Sequence, residues 1–278
     1  MQTIGIIALS GACDKEKIEN SKAYLEKMGF KVKLSKNIFD KDRSLASSDE
    51  DKLEALYNFF EDSEIDLILN ARGGYGAIRL INKINYEIIK NNPKPFIGFS
   101  DITALLLIFY KKTGLITYHG PMASSDFGGE ISQFTNENFF KALSCEPLEF
   151  AGNKIYHQGE ANGIIWGGNL ATVVSLCGQN FIPDEDFIFF AEDLNEPVYK
   201  IDKMFQQLLN IEKFRQRCKG IVLGDFLNVD NAEWLDEYFK TLPFPTVSGF
   251  KITHAQDKIT LPIGKSASLR ENILRING

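Results

Sequence analysis

Residues 95–106 join a short apolar run, Pro95-Phe96-Ile97-Gly98, to a small turn around Ser100 and then to the amphipathic stretch Ile102-Thr103-Ala104-Leu105-Leu106. The pattern predicts a strand, a sharp turn and a helix. A serine at such a turn is held clear of its side-chain neighbours, and the amides that open the helix face any negative charge developing beside it. Ser100 is therefore a candidate nucleophile. Gly98-Phe99-Ser100-Asp101-Ile102 keeps the first glycine of the G-x-S-x-G elbow and has Ile102 in place of the second. Serine is also a preferred helix N-cap, so the turn alone does not separate catalysis from capping.

The segments on either side give the turn its architecture. Residues 3–9 form a β-rich apolar run, followed by Ser10-Gly11 and a helical pattern through Ile18, Tyr24 and Leu25 to Met28, where Gly29 stops it. Residues 30–34 alternate like a strand, and Ser48 with Asp51 caps a helix whose apolar face uses Leu53, Leu56, Tyr57 and Phe60. The strand at 65–70 runs into Ala71-Arg72-Gly73-Gly74-Tyr75-Gly76, and a helix is expected through Ile78, Leu80 and Ile81. After the Ser100 turn come a helix over 102–110, Gly114, and a strand over 115–118. Strands alternating with helices predict an α/β fold with a parallel, helix-covered sheet, whose ligand crevice lies outside the carboxyl ends of the strands. Both the Arg72 loop and Ser100 fall at such ends.

A chain of 278 residues suits two domains of the usual ~100–200 residues each. We expect an N-terminal α/β nucleophile domain with its linker over 1–152 and a C-terminal mixed α/β domain over 153–278. The second begins near Gly152, after a helix over 134–143. It contains Gly167-Gly168-Asn169 before a helix through Leu170, Val173 and Val174, and a continuous apolar strand at 187–191 that delivers Glu192-Asp193 at its end. Ile201, Met204, Phe205 and Leu208 form a helical core stripe. Further strands at 221–224 and 247–250, a helix at 234–239, and short strands at 258–261 and 267–269 complete it.

A net charge of -6 and the lack of a basic stripe argue against nucleic-acid binding. The first nine residues lack a basic region and read as a strand and not as an export signal. No apolar run approaches the ~20 residues that span a bilayer, so no membrane partner is expected. Cys13, Cys145, Cys177 and Cys218 are scattered with no C-x-x-C pair, which fits reduced, mostly buried thiols in a cytoplasm. The three histidines are too dispersed to suggest a metal site, and no metal or cofactor is expected.

Ser100 requires a base. His157 sits among polar, linker-like residues and is the weakest candidate; His119 follows a strand in the Ser100 domain, and His254 lies on a loop of the second. Spacing does not choose between His119 and His254. Glu192 and Asp193 are the most suggestive carboxylates, because a buried strand end gives a rigid position; the plainer reading is a charge at the N-terminus of the next helix. Gly73 or Gly74, with the Asp101 amide, could form an oxyanion hole, or simply a glycine turn. No G-K-[ST] follows, so this is not a nucleotide P-loop.

Taken together, Arg72-Gly73-Gly74-Tyr75-Gly76, Gly98-Phe99-Ser100-Asp101, His119-Gly120-Pro121-Met122, Gly167-Gly168-Asn169-Leu170, Glu192-Asp193, and His254 followed by Leu261-Pro262-Ile263-Gly264 resemble the LD-carboxypeptidase family of serine peptidases. The six motifs stand in the family's order and span nearly the whole chain. The resemblance implies a Ser100-Glu192-His254 triad, with an oxyanion hole at Asp101 and Gly73 or Gly74. It implies release of terminal D-alanine from murein tetrapeptides in cell-wall recycling, in a homodimer without cofactor or metal. Arg72, Tyr75, Trp166 and Asn169, in or beside these motifs, are expected at the substrate. The same family includes microcin immunity proteins that hydrolyse acyl-adenylates, and a muropeptide-binding protein without turnover is the rival from another class. Two departures, Leu9-Ser10-Gly11 where the family often has Pro-Ser and Thr253 where glycine often precedes the histidine, are expected to reshape the substrate pocket.

Overall fold

Strand β1 (Thr3–Ile7) is buried at all five positions, as a strand covered on both faces must be. In the computed structural model, which describes every residue except Met1 and Cys145, it is flanked by a strand on each side in the sheet of a first unit, Met1–Asn136. The expectations for Cys145 and for the first position of the N-terminal run lie outside the described residues. Cys13, Cys177 and Cys218 are free thiols.

The unit's strands β1, β2 (Lys31–Leu34), β3 (Leu67–Asn70), β4 (Phe96–Gly98) and β5 (Thr117–His119) are all parallel, in the order β5-β4-β3-β1-β2. Helices α1 (Lys15–Lys27), α2 (Asp49–Glu61), α3 (Tyr86–Asn91) and α4 (Thr103–Thr113) occupy the four crossovers. The order reverses direction between β1 and β3, and ligands of such open sheets bind outside the strand ends at this switch point. The loops after β1 and β3 meet there, the Gly11 amide donating to the Gly73 carbonyl at 3.1 Å.

Caps follow the sequence signals. The Ser48 hydroxyl accepts from the Asp51 amide at 3.1 Å to open α2, and Gly114 closes α4 in the left-handed region at φ 74°. The helix expected through Ile78 and Ile81 is instead one 3-10 turn, Ala77–Arg79, and α3 follows it, opened by the Asn85 side chain.

Helix α5 (Gln133–Leu143) crosses into the second unit, Glu137–Gly278. Here β6 (Leu148–Ala151), β7 (Lys154–His157), β8 (Glu160–Asn169), β9 (Phe187–Leu194), β10 (Cys218–Leu227) and β11 (Thr246–Ser248) precede a short strand β12 (Leu261–Ile263), then β13 (Ser266–Arg270) and β14 (Ile273–Ile276). A mixed eight-stranded sheet runs β6-β14-β13-β8-β9-β10-β11-β7. Because β6 pairs with β14, the chain enters the second unit before Gly152, earlier than the sequence suggests. Helices α6 (Leu170–Ser175), α7 (Val198–Leu209), α8 (Glu212–Arg217) and α9 (Ala232–Phe239) complete the unit. Its core is aromatic: Trp166 lies 4.9 Å from Phe187 and 5.8 Å from Phe189, ring centre to ring centre, and Phe205 and Phe214 close over Phe189. Each such side chain contributes about 1.5–3 kcal/mol by leaving water, which makes β8 and β9 a rigid base for the residues at their ends.

Candidate functional site

In the first unit, Phe99 is extended and Ser100 turns into the left-handed region at φ 58°, opening a 3-10 turn, Ser100–Ile102, that leads into α4. A non-glycine residue there costs of order 1–3 kcal/mol and persists only where its surroundings enforce it. Two glycines do so here. A methyl group on Gly98 would lie 2.8 Å from the Ile102 side chain, so Ile102, the residue standing where the elbow pattern has a glycine, folds back over the strand end. A methyl group on Gly73 would lie 2.9 Å from Ser100 Oγ and 3.4 Å from the Asp101 amide nitrogen. The serine hydroxyl, the Asp101 amide and the Gly73 backbone thus share one small space.

Asp101 turns its carboxylate the other way and joins three loops. Its Oδ2 accepts from Ser10 Oγ at 2.5 Å and from the Ala77 amide at 2.8 Å, and the Gly76 amide also donates to the carboxylate. Burial pushes the Asp101 carboxyl above its ordinary range, opposed by these hydrogen bonds and by the charge of Lys52. Ser10, fully buried, is therefore a tie between strand-end loops. Its one signal in the sequence is its place just after β1.

The candidate substrate residues of this unit divide. Arg72 is exposed and donates to the Ala12 carbonyl at 3.1 Å, and Tyr75 is 52% exposed, which leaves its ring available to a ligand. Arg79 is engaged with Asp49 through two hydrogen bonds of 2.9 and 3.0 Å. Gly74 takes φ 109°, a glycine conformation. His119 is buried at the end of β5, in register with Gly98 and edge-on to Phe99 at 6.0 Å.

In the second unit, β9 runs on through Glu192 and Asp193 to Leu194, beyond the end expected from the sequence. Alternation then sends the two acids to opposite faces. Glu192 is fully buried, and its Oε2 lies 2.7 Å from His254 Nδ1. Its Oε1 has no hydrogen-bond partner among the described residues. The loop carrying His254 is fastened on both sides, since the Ile252 carbonyl accepts from Asp225 at 2.9 Å and the Lys251 carbonyl from Ile259 at 2.8 Å. Thr253 is buried and its hydroxyl accepts from the Ala255 amide at 3.0 Å, so it shapes the loop. A carboxylate on Nδ1 fixes the ring tautomer and leaves Nε2 to exchange a proton.

Asp193 holds the opposite face. It accepts from Asn169 Nδ2 at 2.9 Å, from the Ala171 amide at 2.9 Å and from the Leu194 amide at 2.8 Å. Burial raises its carboxyl to about 6. Asn169, whose Oδ1 caps α6 through Thr172, is nearly buried, and Trp166 is wholly within the aromatic core. In this structure these side chains support β8, β9 and α6. His157 sets Nε2 2.8 Å from the Lys240 carbonyl, a surface role. Among the described residues no group of three or more His, Cys, Asp or Glu side chains is placed to hold a metal ion, and no helix is long and apolar enough to cross a membrane.

Comparison with known proteins bears on both units. Residues 4–120 match the LD-carboxypeptidase N-terminal domain and residues 162–269 the LD-carboxypeptidase C-terminal domain. The chain is 33% identical over 283 residues to a probable murein peptide carboxypeptidase of Bacillus subtilis, covering 96% of this chain and 88% of that one. It is 27% identical to the microcin C7 self-immunity protein MccF of Escherichia coli over 94% of this chain and 88% of that one. The crystal structure of muramoyltetrapeptide carboxypeptidase from Oxalobacter formigenes superposes with a TM-score of 0.92 at 26% identity, covering 100% of this chain and 99% of that one.

Proposed function

Because the chain belongs to the LD-carboxypeptidase family of peptidases, we propose that it is a cytoplasmic serine carboxypeptidase that releases terminal D-alanine from murein tetrapeptides. Ser100 is the nucleophile, His254 its base and Glu192 the orienting carboxylate. The observation that carries this reading is the 2.7 Å contact between buried Glu192 and His254 Nδ1. Ser100 Oγ attacks the carbonyl carbon of the penultimate residue and its proton passes to His254 Nε2. The resulting imidazolium is stabilised by Glu192. The oxyanion is met by the Asp101 amide and that of Gly73 or Gly74, in a space kept open by the missing side chain of Gly73. Collapse returns the proton to the leaving amine of D-alanine, and water activated by the same histidine releases the acyl group.

Similarity to MccF supports a second reading, a hydrolase of aminoacyl-adenylate conjugates that uses the same three residues. Mass spectrometry of a tetrapeptide ending in diaminopimelate or lysine and then D-alanine, beside its all-L analogue and with Ser100→Ala as the blank, separates them. The first reading expects D-alanine from the L,D peptide and about 5- to 150-fold less cleavage of the all-L one. A site that pairs the leaving carboxylate with a fixed donor loses that pairing on inversion, about 1–3 kcal/mol. Hydrolysis of an aminoacyl-adenylate with no D-alanine released moves the protein to the second reading. Equal turnover by Ser100→Ala removes both.

A further inference from the structure

Lys52, on α2, is fully buried, and its Nζ has no hydrogen-bond partner among the described residues. A lysine buried without a partner is rare, because an unpaired ammonium loses several kcal/mol of hydration. Gly76 shows what it faces. A methyl group on Gly76 would lie 3.0 Å from Lys52 Nζ, while the amide of the same residue donates to the Asp101 carboxylate. One glycine therefore separates the buried cation from the acid that joins the loops of β1, β3 and the Ser100 elbow. The other charges around the ammonium are Asp49 on the same helix, Asp42 on the preceding loop and Arg79 on the 3-10 turn. Asp49 is engaged by Arg79 and by Lys83 at 2.7 Å, and Arg79 repels. Asp101 is thus a carboxylate close to Lys52 that, among the described residues, is in no salt bridge with another cation.

We infer that Lys52 is a positioning residue for the nucleophile: across Gly76, its charge keeps Asp101 ionised, so that Asp101 holds Ser10, Gly76 and Ala77 and fixes the Gly73–Ser100 approach. Burial works against both charges, lowering the affinity of Lys52 for its proton and raising that of Asp101, and each charge opposes the effect on the other. Removing the cation lets Asp101 take up a proton at higher pH, weakening an acceptor of three hydrogen bonds. The elbow then loosens first as pH falls.

The inference rests on Ser100 being the nucleophile, and the test has one arm that does not. In protein carrying carboxyl-labelled aspartate, Asp101 is assigned with Asp101→Asn and titrated by carbon NMR in wild type and Lys52→Met. The expected result is an upward shift of the Asp101 titration by about one pH unit or more, a tenfold change in proton affinity. In parallel, the rate at which a fluorophosphonate labels Ser100 is followed against pH, and its acid limb should move up by a similar amount. Absence of labelling in wild type would count against Ser100 as nucleophile while leaving the NMR arm intact. An unmoved Asp101 titration overturns the inference, as does a moved titration with an unmoved labelling profile in an enzyme that labels. If Lys52→Met does not fold, the Lys52→Met/Asp101→Asn double variant decides. Recovery of folding supports the pair, and failure to fold means that Lys52 serves packing.

Discussion

Glu192 and Asp193 are adjacent acids of similar intrinsic chemistry, and the backbone of β9 gives them opposite tasks. Glu192→Gln keeps the shape of the side chain but not its charge. It should lower kcat about 10³–10⁴-fold, as loss of the orienting carboxylate does in serine triads, whereas Asp193→Asn should stay within tenfold of wild type. Steady-state rates of the two purified variants make the comparison. Stability separates them differently. Asp193 titrates near 6 in the fold against an ordinary value of 3.8, so the native state binds its proton more tightly than the unfolded chain. Its contribution therefore becomes less favourable as pH rises from about 4 to 6, by about 2–3 kcal/mol. Urea unfolding at pH 4 and 7 should show this slope in wild type and its loss in Asp193→Asn. The sequence marks both acids because an apolar run leads into them. It does not reveal which faces the histidine, since that depends on where β9 ends, and pairing with β8 and β10 extends the strand past the apolar run.

At the scale of elements, long periodic segments are legible and short ones often are not. The apolar stripe of α7 and the cap of α2 can be read directly, because the first spans several turns and the second carries its own hydrogen-bonding side chain. Helices α3 and α8 have six residues each, too few to show a period. The segment after Gly76 has a helical pattern but makes one turn, tied at Ala77 by Asp101 and at Arg79 by Asp49. That second tie carries a prediction. Arg79 and Lys83 hold the Asp49 carboxyl down at about 2, so it stabilises the fold above about pH 4 and the contribution fades as pH falls toward 2. Because both cations are nearly half exposed, solvent screening reduces its worth to about 1–2 kcal/mol. Asp49→Asn should cost that much at pH 7, with the gap to wild type narrowing by pH 3, as measured by denaturant midpoints.

For the molecule as a whole, the α/β class and the family are legible, because motif order survives where any single motif is ambiguous. Strand order is not legible: nothing local tells β3 to lie beside β1 and β14 to lie between β6 and β13. The last of these pairings governs how the second unit can come into being on a ribosome. Leu148 lies opposite Ile276, so β6 emerges well before its neighbour, roughly 6–25 s earlier at about 5–20 residues per second. For that interval the sheet has an open flank, and the nascent chain offers it to any passing strand. Ribosome-stalled chains ending at residue 265 should be cut by protease within 148–157, and chains extended through 278 and spaced clear of the exit tunnel should resist. Equal resistance in both would mean that the flank is protected before its partner arrives.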